Sequence, residues 1–166
     1  MAREGTVGAL FDMAMGLEHK AAELYDRLGE KFEHEPRVAA FWREYADEER
    51  VHAEMLMTIR SKVGSDVLSR EADTRVMGYA QQAMTVAVDK TIESIDNLDE
   101  AYELANDMEG GETNAIFEFL IAEYAIAQEA RAFLRVQLKE HVTKIAMHFP
   151  EGYQFKAERL NVKARD

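Results

Sequence analysis

The sequence predicts an all-α fold built as a bundle of four long helices. Two prolines, Pro36 and Pro150, interrupt 166 residues rich in Ala, Glu, Leu, Met and Arg, a composition that favours helix over sheet. Large apolar residues recur in alternating steps of four and three along extended segments, the spacing of one helix face. Each of these stripes also carries ionisable or polar side chains near its middle. That third observation makes the bundle more than a packing exercise.

Helix 1 is predicted from about Thr6 to Phe32, with Thr6 as its cap. Its stripe reads Val7, Phe11, Ala14, Glu18, Ala21, Tyr25, Leu28, Phe32, so a carboxylate interrupts an apolar seam. After Glu33-His34-Glu35, Pro36 fits the first turn of helix 2, which is expected to end near Gly64. The second stripe is Val38, Trp42, Tyr45, Glu49, His52, Leu56, Ile59, Val63. Glu49 and His52 thus point inward, whereas Glu48, Arg50 and Glu54 are expected to face water in local pairs.

Residues 64–97 form a long connection, able to carry the chain from one end of a bundle to the other. GSDVLSREADTR reads as loop or frayed helix, and VMGYAQQAMTVAVDKTIESI is apolar enough to contain a further helix, although its pattern is ambiguous. Asn97-x-x-Glu100 is a capping-box variant that opens helix 3. Its stripe, Ile95, Leu98, Tyr102, Ala105, Glu109, Glu112, Ile116, Phe119, places two carboxylates three residues apart. Gly110-Gly111 between them indicates either a bulge near a ligand or close helix packing. Neither Gly nor Pro occurs from Glu112 to Phe149, so the end of helix 3 and the start of helix 4 are not announced. One continuous rod there would require a second chain to complete the bundle, which makes a homodimer the expected state.

Glu18 and Glu109 are 91 residues apart, and the two halves read as a repeat. The same shift applied to helix 2 gives the stripe Glu129, Phe133, Val136, Glu140, Thr143, Met147. Glu140 then falls where Glu49 falls, and Thr143 where His52 falls. Alternatively a small register shift makes His141 the imidazole, with Leu138 at the glutamate position.

The domain is expected to span residues 1–149, with 150–166 a polar, partly basic C-terminal tail. A net charge of −12 argues against a nucleic-acid partner, because phosphate binding wants a basic patch. The absence of cysteine excludes disulfides, iron–sulfur clusters, thiol catalysis and rubredoxin-type iron. The most apolar segment, Ala115–Ala127, is short and carries Glu118 and Glu123, which rules it out as a bilayer span. With no stretch resembling a signal peptide, the simplest location is cytoplasmic.

Burying several unpaired carboxylates at one level costs several kcal/mol each. One histidine, with no Lys or Arg at that level in helices 1 to 3, does not balance them, and a pair of cations does. Glu-x-x-His at 49 and 52 puts two donors on one helix face, the spacing that metal-binding bundles use. Carboxylates with few imidazoles suit iron or manganese better than structural zinc. Taken alone, each residue has a duller explanation as a boundary carboxylate, a solvated face or a core histidine. Tyr25, Tyr45 and Tyr102 are likewise either hydrogen-bond donors near the centre or plain core. The coincidence of Glu18, Glu49, His52, Glu109 and Glu112 in register with separate stripes favours the metal site.

With these residues in view, the chain resembles the rubrerythrin-like branch of the ferritin-like superfamily over roughly Leu10 to Met147. GLEHKAAELY is similar to the first-helix segment, ADEERVHAEML to the Glu-x-x-His segment of the second, and LDEAYELANDMEGGE to the third helix with its Glu-x-x-Glu. The resemblance implies a ferritin-like antiparallel four-helix bundle holding two metal ions, iron first and manganese or zinc as alternatives, which react with oxygen or peroxide. It implies Glu18 and Glu109 as terminal ligands, Glu49 and Glu112 as carboxylates at or bridging the pair, and His52 as a nitrogen ligand. The fourth helix, LKEHVTKIAMH, offers Glu140 or His141 but not the second Glu-x-x-His. Without cysteines, an oxidase or peroxidase would need an external electron donor. A non-catalytic metal-binding or sensing bundle, and a structural module with a relic site, are the competing readings.

Overall fold

Thr6 begins the first helix as its position predicts: its Oγ1 accepts the Ala9 N–H at 3.3 Å, and α1 runs over Val7–Lys31. The computed structural model describes residues 5–109, 111–125 and 128–148; some side chains of the last two helices, Glu112 and Leu138 among them, also lie outside that description. The expected tail, 150–166, is outside it too. Pro36 takes the first turn of α2, Pro36–Lys62, where its missing N–H costs nothing.

The connection is more helical than its sequence suggests. Ser65–Leu68 forms a single turn, α3. Asp73 then caps α4, Thr74–Met84, by accepting the N–H groups of Arg75 and Val76 at 2.9 and 3.0 Å. A short α5, Val88–Glu93, follows. α4 packs on α1 and α7 and buries Val76, Met77 and Ala80. Among the described residues there is no strand, only an isolated bridge between Thr6 and Glu71.

α6, Leu98–Glu109, opens on the predicted capping box. Asn97 Oδ1 accepts the Glu100 N–H at 3.1 Å, and Glu100 reaches back to the Asp96 N–H at 2.7 Å. The helix stops at Glu109, and α7, Glu112–Tyr124, starts anew from Gly111, whose backbone is extended. Gly111 therefore sits at a break between two helices rather than inside a continuous one.

The continuous rod does not form. Ala125 is extended (φ −68°, ψ 123°), and α8, Gln128–His148, turns back to contact both α6 and α7. Arg131 Nε donates to the Ala125 carbonyl at 2.5 Å, satisfying a group that helix continuation would otherwise have used. The expected stripe of helix 4 is also displaced. Val136 is 56% exposed, and Glu140 and Thr143 are exposed, while His141 and Ile145 are buried. One residue along a helix rotates a side chain by about 100°, so the 91-residue repeat fails once the breaks change the spacing.

The core falls into two apolar clusters. One gathers Tyr25, Leu28, Trp42, Tyr45, Ala101, Ala105 and Ile145. The other gathers Leu10, Phe11, Leu56, Ile116, Phe117 and Leu120. Glu18 lies between them along α1, Glu49 and His52 along α2, Glu109 where α6 gives way to α7, and His141 along α8. Among the described residues no helix is long and apolar enough to cross a membrane.

Candidate metal centre

The breaks and stripes bring five ionisable side chains to one level. Glu18, Glu49, His52, Glu109 and His141 are each no more than 6% exposed, and they are the buried carboxylates and imidazoles among the described residues. Glu49 lies at the centre. Its Oε2 is 3.0 Å from His52 Nδ1, which is itself 3.8 Å from Glu18 Oε2. Its Oε1 is 2.9 Å from His141 Nε2, which is 3.1 Å from Glu109 Oε2. One carboxylate thus faces two half-sites, each with one imidazole and one further carboxylate. Donor atoms of Glu49, His52 and His141 all lie within 4.8 Å of one another.

Further groups hold these donors. The buried Tyr25 hydroxyl donates to Glu109 Oε1 at 2.5 Å. Asn114 Nδ2 donates to the Glu109 carbonyl, and to its Oε2 at 3.1 Å, so the last residue of α6 is fixed at both ends. Tyr45 donates to the His141 carbonyl at 2.9 Å, and its ring centroid lies 4.7 Å from the imidazole. His141 Nδ1 is 2.5 Å from Glu48 Oε2, and Lys144 donates to the other oxygen of Glu48. A cleft of about 790 Å³ between α2 and α8 reaches His52 and His141 past Glu48, Val51, Met55 and Lys144.

Burial and mutual contact shift the charges in opposite directions. Burial pushes the Glu18 carboxyl up to about 8, against the pull of His52. For Glu49 burial also acts upward, but hydrogen bonds from His141 and His52 outweigh it and hold the carboxyl below its usual range. Burial alone would depress the imidazoles. Instead Glu18 and Glu49 raise His52 to about 9, and Glu109, Glu48 and Glu49 raise His141 further. Burial, then Glu109, raises Tyr25 well above its usual range, keeping it a donor.

Of the residues predicted from the sequence, Glu18, Glu49, His52, Glu109 and His141 are brought together. Glu140, the other choice on helix 4, is exposed and edges the cleft. Glu112 starts α7, and its side chain is outside the described residues. Glu48 is not the water-facing residue expected: it is half-buried between His141 and Lys144. Nothing on α2 signals this, since the contact exists only once α8 is placed. Asn114 was also missed, and Tyr25 and Tyr45 prove to be both core and donors.

Three described carboxylates, one of them shared, and two imidazoles fit hard or borderline cations, iron and manganese in particular. A helical protein with a buried glutamate–histidine cluster able to bind metal is the class these observations define. The rubrerythrin family profile matches residues 10–141, and the chain belongs to the rubrerythrin family. Comparison with curated proteins and with solved structures returned no match in either.

Proposed function

We propose that the chain is a rubrerythrin-type oxidase or peroxidase with two iron ions, held in a ferritin-like antiparallel four-helix bundle formed by α1, α2, the α6–α7 pair and α8. The observation that carries this reading is Glu49, which turns one oxygen toward His52 and the other toward His141. Glu18 and His52 would hold one ion and Glu109 and His141 the other, with Glu49 between them and Glu112 as a further carboxylate. Iron bound there would supply two electrons, one per ion, which with two protons convert hydrogen peroxide to two waters. Tyr25 and Asn114 keep Glu109 oriented, the apolar clusters exclude bulk water, and the cleft between α2 and α8 admits small molecules to the imidazoles. With no cysteine in these 166 residues, the electrons come from a donor outside them.

Anaerobic addition of ferrous iron, followed by peroxide, tests the proposal. Two irons per chain and peroxide-dependent oxidation faster than that of free iron are expected, and Glu49→Ala should abolish both. A protein that takes up no iron overturns it.

A non-catalytic metal-binding or sensing role is the second reading. It is favoured by Leu138 at the glutamate position of helix 4 and by the exposure of Glu140. Metal binding lost in Glu49→Ala, without peroxide turnover in the parent protein, would select it. The homodimer also stays a proposal, although the rod that suggested it is absent. Light scattering measures the oligomeric state, and a monomer that loads two metals would retire the dimer without touching the centre.

A further inference from the structure

α8 brings one described donor to the centre, and its orientation depends on what lies behind the imidazole. His141 turns Nε2 toward Glu49 and Glu109, at 2.9 and 3.1 Å, and Nδ1 toward Glu48 Oε2 at 2.5 Å. Lys144, one turn further along α8, donates to Glu48 Oε1 and lies 2.8 Å from Glu44 Oε1. Glu48 is therefore gripped by two residues of α8 spaced to meet it together. His52 is oriented differently: its ring packs 5.0 Å from Phe117, and the nitrogen facing the cluster is Nδ1.

A neutral imidazole has a single N–H, and a carboxylate at one nitrogen claims it, leaving the other lone pair for a cation. From this geometry we infer that Glu48, anchored by Lys144, is a positioning residue that presents Nε2 of His141 to metal. The inference rests on the two-metal reading above, and it is specific to the Glu109–His141 half of the site. Glu48 itself would hold neither ion.

Cobalt(II) titration of the whole chain, in competition with a chelator, tests it. The parent protein is expected to bind two equivalents. Glu48→Ala should weaken one equivalent by about 10- to 100-fold and leave the other within about twofold. Glu48→Gln keeps an accepting oxygen and should restore most of the loss. In zinc(II)-loaded protein with nitrogen-15 histidine, the His141 Nδ1–H resonance should be sharp in the parent and broadened or lost in Glu48→Ala. Unchanged affinity for both equivalents in Glu48→Ala overturns the inference. So does an equal loss at both that tracks a lower melting temperature, because that is a structural role. A parent protein that binds neither metal takes down the two-metal reading and this inference together.

Discussion

Tyr25 shows how little separates a core residue from one that serves a site. Its ring stacks on Trp42 at 5.8 Å and packs edge-on to Tyr45 at 5.3 Å, while its hydroxyl serves Glu109. Tyr25→Phe keeps the packing and strips a donor from a buried carboxylate. It should cost about 1–3 kcal/mol in denaturant unfolding of the metal-free protein, and no change would mean that Glu109 finds another donor. The shifted acids and bases give a second prediction. Glu18 is raised from 4.5 to about 8 and His52 from 6.5 to about 9. Each binds its proton more tightly when folded, so each contributes stability at low pH that is lost as pH rises through its folded value. Glu49 acts in the opposite sense, in acid. The melting temperature of metal-free protein should therefore fall between pH 6.5 and 9, and a flat calorimetric profile would contradict the assignment. At this scale the sequence was legible wherever a polar residue broke an apolar stripe, as Glu18, Glu49, His52 and Glu109 do. It was not legible for Glu48, and on helix 4 it left Glu140 and His141 as alternatives, because a one-residue step on a helix decides between water and core.

Helix ends divide along similar lines. Thr6, Pro36, Asn97 and Glu100 carry their own start signals, because an N-cap is made by side chains next to the backbone they satisfy. The turn after α7 has no such signal. It is closed by Arg131, six residues on, reaching the Ala125 carbonyl, and that contact forms only in the folded chain. Arg131→Ala should destabilise the fold by about 1–3 kcal/mol in thermal or denaturant unfolding; an unchanged value would show that the turn holds itself. Gly111, at the break before α7, leaves no room for a side chain. A Cβ on Gly111 would lie 2.8 Å from the Asp107 carbonyl oxygen, too close for either atom to remain in place. Gly111→Ala should cost about 1–3 kcal/mol and disturb Glu109, two residues away.

For the molecule as a whole, the polar layer divides the core, with the aromatic-rich cluster on one side and the Leu/Ile/Phe cluster on the other. Hydrogen bonds between glutamates and histidines tie that layer together, and metal should hold it more firmly. Ligand that binds only the folded state raises the melting temperature. Chelation at neutral pH is therefore expected to lower it, and identical melting with and without chelator would favour a metal-free core. The helical class and three of the four contributing segments could be read from periodicity. The course of the chain after residue 124 could not, because it depends on contacts with helices distant in sequence.

Glu49 and His141 are 92 residues apart, which bears on the order of events during synthesis. A growing chain that has reached the end of α6 already owns Glu18, Glu49, His52 and Glu109. It lacks the imidazole of the second half-site until α8 is made. One half of the centre can thus assemble on a partial chain, whereas the shared carboxylate acquires its second imidazole only once α8 has been made. It is α8 that turns a group of acids into a two-sided site.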